Sequence, residues 1–154
     1  MSQTLTILDS IRQRLWDKTQ SFSVELFPDD LAHYHLTDEY GAILVQYAGS
    51  EFDSLDSSDI IQQRRKIQVA LTVIARSQHQ DNGALAVLDQ IRLAIVGFKP
   101  THCTPCHLIS EAFAGEEDGL WQYQLMIQTE TWQVEQIEQA SLTALNTIHI
   151  QKKT

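Results

Sequence analysis

Two cysteines three positions apart, with a histidine on either side, are the residues here whose types and spacing could do chemistry: His102-Cys103-Thr104-Pro105-Cys106-His107. Cys-x-x-Cys-His is the pattern through which c-type haem is attached, with His107 as the axial ligand. Attachment requires export. The N-terminus, Met-Ser-Gln-Thr followed by an amphipathic segment, lacks the basic start, apolar block and small-residue cleavage site of a signal peptide, so a cytosolic protein with two free thiols is expected. A thioredoxin-like dithiol wants its first cysteine at a helix N-terminus, where the dipole favours thiolate. Here the pair follows a helix C-terminus and precedes a strand, which reverses the field. Zinc is the stronger rival: Cys103, Cys106 and His102 or His107 supply three ligands, and His33 or His35 a fourth. A closed structural site usually brings two close-spaced pairs, and this sequence brings one. The favoured reading is therefore a loop that carries two reduced thiols, with no metal and no cofactor.

The other reactive residue types form no constellation. His79 and His149 are isolated, and Ser10, Ser21 and Ser110 lack a nucleophile-elbow context. No glycine-rich phosphate loop is present. Asp29-Asp30 and Glu116-Glu117-Asp118 fall in turns, where carboxylates are commonly solvated. The expectation is a protein that is not an enzyme.

The elements that hold the hexapeptide are well marked. Ile67, Val69, Leu71, Val73 and Ala75 occupy alternate positions, one face of a strand. After the turn residues Asp81, Asn82 and Gly83 the period changes, and Val87, Leu88, Ile91, Ala94, Ile95 and Phe98 form a helical stripe that can cover that face. Gly97 and Pro100 mark the end of this helix. Upstream, Leu5, Leu8, Ile11 and Leu15, with Ile7 and Trp16 beside them, predict a first amphipathic helix whose outer side carries Asp9, Arg12, Gln13 and Asp17. Phe22, Val24 and Leu26 predict a short strand stopped by Pro28, the stretch 29–40 a loop, and the apolar run 42–48 a buried strand. The Ser- and Asp-rich stretch 49–59 reads as a long loop whose Phe52 and Leu55 either dock on a neighbour or tuck back. Segments 108–114 and 120–134, separated by Gly115-Glu116-Glu117-Asp118-Gly119, form a hairpin. In its second arm Trp121, Tyr123, Leu125 and Ile127 share one face while Trp132 and Val134 share the other, which predicts a bulge or bend near 129–131. Residues 137–154 are an extension in which Leu142 and Leu145 allow a helical turn and Ile148 and Ile150 favour a strand.

The result is one domain over 1–154 of α+β class, with a mostly antiparallel sheet covered on one face by two helices. A chain of this length can bury roughly 70% of its unfolded surface without staples. Twenty acidic and eleven basic residues give a net charge of −9, which argues against a sequence-specific nucleic-acid surface. No apolar run approaches the ~20 residues that cross a bilayer, so no membrane partner is expected. The charge is also uneven. From Thr19 to Gln63 there are nine acidic residues and no Lys or Arg, after which Arg64, Arg65 and Lys66 arrive together; from Pro100 to Gln151 there are seven acidic residues and again no Lys or Arg. These runs are solvated faces, or else the acidic segment of one copy pairs with the Arg64–Lys66 cluster of the next.

The opening helix, the string Arg65-Lys66-Ile67-Gln68-Val69-Ala70-Leu71, the helix with Leu85, Leu88, Ile91 and Arg92, its Gly97-Phe98-Lys99-Pro100 exit and the strand Gly119-Leu120-Trp121-Gln122-Tyr123 carry a resemblance. Over about residues 4–134 the chain resembles the tail-terminator-like minor tail proteins of Mu-like phages and prophages. The hexapeptide falls where that family has a variable loop. The resemblance implies a structural protein that self-associates into a ring, of six copies, at the head-proximal end of the tail tube. There it would stop tube polymerisation and meet a tail tube subunit and a head-joining protein, assembling in the bacterial host cytoplasm and ending in the virion tail. An acidic lumen would let DNA pass without sticking. A closed ring needs two different complementary patches. The candidates are Phe52, Asp53, Leu55 and Asp56 in the acidic segment and Arg64, Arg65 and Lys66 in the basic cluster.

Overall fold

The computed structural model describes residues 2–19, 21–55 and 59–136; the extension 137–154, with His149, and the interface candidate Asp56 lie outside the described residues. Helix α1 spans Gln3–Lys18 and begins where the Ser2 hydroxyl accepts the Leu5 amide hydrogen at 3.2 Å, satisfying one of the open donors of the first turn. Its buried stripe is Ile7, Leu8, Ile11 and Leu15. Leu5 and Trp16, expected on or beside that stripe, are exposed. At about 100° per residue both fall more than about 100° from the centre of the buried arc.

Strand β1 (Ser23–Leu26) pairs in parallel with β2 (Gly41–Phe52), and β2, β3 (Gln62–Ala75), β5 (Leu120–Val134) and β4 (His107–Glu117) then pair antiparallel, in the order β1-β2-β3-β5-β4. Helix α2 (Ala84–Ile95) follows β3. The fold is α+β, as the alternation of periods implied. Ile67, Val69, Leu71, Val73 and Ala75 all lie at 0% exposure, packed with α1 and α2 in one core. Each large side chain so buried contributes about 1.5–3 kcal/mol.

Three expectations change. The loop expected over 49–59 begins only after Phe52, because β2 continues past a bulge at Ala48, where the register steps from Tyr47↔Val69 to Gly49↔Gln68. Pairing with β3 overrides the weak strand preference of Gly49, Ser50 and Glu51. The hairpin loop contracts to Asp118-Gly119, with φ of 54° and 80°, a two-residue turn of the kind that twists with its strands. The bulge expected at 129–131 is absent: β3 and β5 stay in register from Gln62↔Val134 to Ala75↔Trp121. The inward face simply continues as Thr129 and Thr131, which are buried, and Trp132 and Val134 lie outside on the opposite face.

The stretch read as loop over 29–40 contains a short 3-10 turn, Leu31–His33, and covers part of the second sheet face. There Tyr34 and Leu36, with Phe27 and Leu120, pack on Ala42, Leu44 and Ile74 as a second, smaller core. Gly41 permits this crowding at the start of β2: a Cβ there would sit 2.1 Å from the Ile74 carbonyl oxygen and 2.5 Å from the Phe22 ring.

Candidate subunit interface

The hexapeptide is built into the sheet rather than held out as a reactive loop. Gly97, at φ 86°, ends α2 and donates its amide hydrogen to the Cys106 carbonyl at 2.9 Å, and the Cys106 amide donates to Phe98 at 2.8 Å. Where β4 stops, Thr104 takes over the outer edge of β5. Its amide donates to Glu130 at 2.8 Å and its hydroxyl accepts the Glu130 amide hydrogen at 3.0 Å. The two buried threonines complete the attachment, Thr129 donating to the Thr104 carbonyl at 2.6 Å and Thr131 to the His102 carbonyl at 2.9 Å. Burial raises the thiol pKa of Cys103 and pushes that of Cys106 up to about 12, with the Thr129 hydroxyl opposing the shift in both. In both cysteines burial thus favours the neutral thiol over the nucleophilic thiolate. His102 and His107 are exposed, as are His33 and His35, and among the described residues no three His, Cys, Asp or Glu side chains come together to hold a metal ion.

The interface candidates converge elsewhere, at the end of the sheet where β2 and β5 finish and β3 begins. Lys66 reaches Asp53 at 3.2 Å, and Arg64 reaches Glu130 at 3.2 Å while its guanidinium lies 5.1 Å above the centre of the Trp132 ring. Arg65 points to the helix side. It is 8% exposed and donates to Ser50 and Thr4, both at 3.0 Å, and to Tyr47 at 3.3 Å, so that it ties the first turn of α1 to β2 and β3. The hydrogen bond between the Tyr47 hydroxyl and Ser50 at 2.7 Å, first, and the one that hydroxyl accepts from Arg65 lower the Tyr47 phenol pKa. The basic cluster thus has partners inside its own chain.

This end also exposes large apolar side chains. Phe52, Leu55, Ile60, Ile61, Trp132 and Val134 are each more than 40% exposed around the ends of β2, β3 and β5, Phe52 on the helix face opposite Arg65 and Trp132 and Val134 on the other face. The backbone there is closed by reciprocal contacts, Glu135 donating to the Ile61 carbonyl at 2.8 Å and the Ile61 amide donating to the Glu135 carboxylate at 2.8 Å. A shallow groove of about 250 Å³, lined by Arg64, His102, Cys103, Thr104, Glu130, Thr131 and Trp132, adjoins it. Sequence reasoning found Phe52 and Leu55 as apolar residues in a polar stretch. It treated Trp132 and Val134 as a change of phase and did not single out Ile60 or Ile61, although two adjacent isoleucines beside an acidic loop are themselves a signal.

The family model described as "Gp37 protein" matches residues 11–151. Among solved structures, a chain from the "Virion of native gene transfer agent (GTA) particle" has the same fold, with a TM-score of 0.52 and 12% identity, covering 86% of this chain and 97% of that one. No curated protein sequence matches.

Proposed function

We propose that this chain, which belongs to the Gp37 protein family, is a non-enzymatic structural component of a phage-like virion and, more specifically, a tail terminator. In this reading it forms a closed ring, of six copies, at the head-proximal end of the tail tube, stops tube polymerisation and presents a surface to a head-joining protein. It assembles in the bacterial host cytoplasm and remains in the virion tail.

The observation that carries the reading is that the family match and the fold likeness to a virion chain both extend over most of this sequence, the latter over nearly all of the virion chain. The geometry adds a surface. An apolar sheet end whose neighbouring charges are already paired is suited to lasting contact, because the cores of protein interfaces are depleted in unpaired charge. That end is assigned to the tail tube.

Native mass measurement of the purified protein, alone and with tube subunits, tests the assignment. Particles of six copies that cap short tubes are expected, and Trp132→Glu, at an exposed position, is expected to leave the fold intact and abolish capping. A monomer at high concentration that stays a monomer beside tubes would sink the terminator reading.

A further inference from the structure

A groove of about 570 Å³ lies between α1, the end of β1 and the middle of β2. Leu5, Leu8, Leu26, Phe27, Leu31 and Tyr47 line it, and Leu5, Leu31 and Tyr47 are substantially exposed. Beside it β1 pairs only with Ala42–Val45, so among the described residues nothing pairs with the outer edge of β2 from Gln46 to Phe52. An apolar groove beside a free strand edge suits an extended segment that brings apolar side chains.

Charge decides which segment. Apart from Leu5 and Leu8 the groove's lining falls within the stretch 19–63 that holds nine acidic residues and no Lys or Arg, with Asp29 lining it and Glu25, Asp30 and Glu51 near it in sequence. The other outer strand, β4, which among the described residues pairs only with β5, carries Glu116 and Glu117 and a Glu111 already paired with Arg92, so edge-to-edge pairing of two copies brings Glu116 and Glu117 to an acidic stretch. Residues 137–154 offer the opposite. They contain Leu142, Leu145, Ile148 and Ile150 and then Lys152-Lys153, the first basic residues after Lys99. The family match runs to residue 151 and so spans these four positions. From Val134 the seven residues 135–141 that precede Leu142 can span about 25 Å when extended, about the width of a five-stranded sheet.

We propose that the segment after β5 seats Leu142, Leu145, Ile148 and Ile150 in this groove on a neighbouring copy, with Lys152 and Lys153 against its acidic surroundings. The inference rests on the ring reading and supplies that ring with one of its two complementary patches. Two different surfaces then meet at each contact, as a closed head-to-tail assembly requires.

The test uses the full chain with a photo-crosslinking benzoylphenylalanine at Leu31, which is 59% exposed. Adducts joining two chains, mapped by mass spectrometry to the peptide that contains Ile148 or Ile150, are expected. Lys152→Glu with Lys153→Glu should cut their yield about fivefold, the scale of two exposed ion pairs. Adducts confined to one chain, adducts to another region, or none would overturn the proposal. Rings of six without the adduct sink the docking and leave the terminator reading standing; dimers that carry the adduct sink the ring and leave the docking.

Discussion

Replacing Thr129 by Val isolates the attachment of the 101–106 loop, because the two side chains have nearly the same shape and differ in one hydrogen-bond donor. Thr129 is 1% exposed and its hydroxyl donates to the Thr104 carbonyl at 2.6 Å. Removing the donor leaves a carbonyl to be desolvated without that partner, at a cost of about 1–3 kcal/mol. The extra buried methyl returns up to about 0.8 kcal/mol. A net loss of about 1–2 kcal/mol follows, which at a urea slope of about 1.5 kcal/mol/M lowers the unfolding midpoint by about 1 M with the slope unchanged. Hydrogen exchange supplies a second readout. The Thr104 amide, held by Glu130 at 2.8 Å, should lose protection when its own carbonyl is released. Thr129→Ser keeps the donor and should keep the protection even where it costs packing. A midpoint unchanged in Thr129→Val, or a lowered midpoint with Thr104 still protected, would refute the account of Thr129 as the anchor of this loop.

Two further outcomes follow from groups that the sheet buries. Burial raises the Cys106 thiol from 9.0 to about 12, so its contribution to stability is present below pH 9 and is lost as the pH climbs towards 12; urea midpoints at neutral and alkaline pH should therefore converge between the native chain and Cys106→Ala as the pH rises. Arg65→Met removes three donated hydrogen bonds and should move the Tyr47 phenol back up towards 10.0, read from phenolate absorbance; the Ser50 hydrogen bond, the larger cause, limits the recovery.

The legible parts of the fold are those where apolar residues keep one period without interruption. Ile67 to Ala75 and Val87 to Ile95 announce a strand and the helix that covers it, because burial on one face permits no other arrangement. Asp118-Gly119 announces the turn for the same local reason, since both residues must take positive φ. Polar residues buried for a tertiary reason are hidden. Thr129 and Thr131 look like solvent positions, so the apolar pattern of β5 appears to change phase, whereas their hydroxyls face inward to hold the carbonyls of Thr104 and His102. The same kind of omission affects the candidate interface. Arg64, Arg65 and Lys66 read as one exposed cluster, yet strand alternation sends Arg65 to the helix side and Arg64 and Lys66 to the other, each to partners on neighbouring segments that local sequence does not reveal. Sequence spacing brought the candidate residues to one end of the sheet; it did not show that Arg64 and Lys66 find partners in their own chain there.

A difference in character separates the two proposed contacts by their response to salt. At the sheet end Lys66 and Arg64 are paired with Asp53 and Glu130, and the proposed contact with the tube falls to exposed apolar side chains such as Leu55. Apolar burial is nearly indifferent to screening and is strengthened by sulfate. In the groove, by contrast, Lys152 and Lys153 meet an acidic stretch, and screening shortens the reach of such pairs to about 3 Å at 1 M salt. A crosslinker at Leu55, which is 52% exposed, should therefore capture the tube subunit equally well at low and high sodium chloride and better in sodium sulfate, while the chain-to-chain adduct at Leu31 weakens as sodium chloride rises. If the Leu55 adduct faded with salt alongside that of Leu31, the sheet end would be working through its charges, and the reading of Arg64 and Lys66 as internally satisfied would fail.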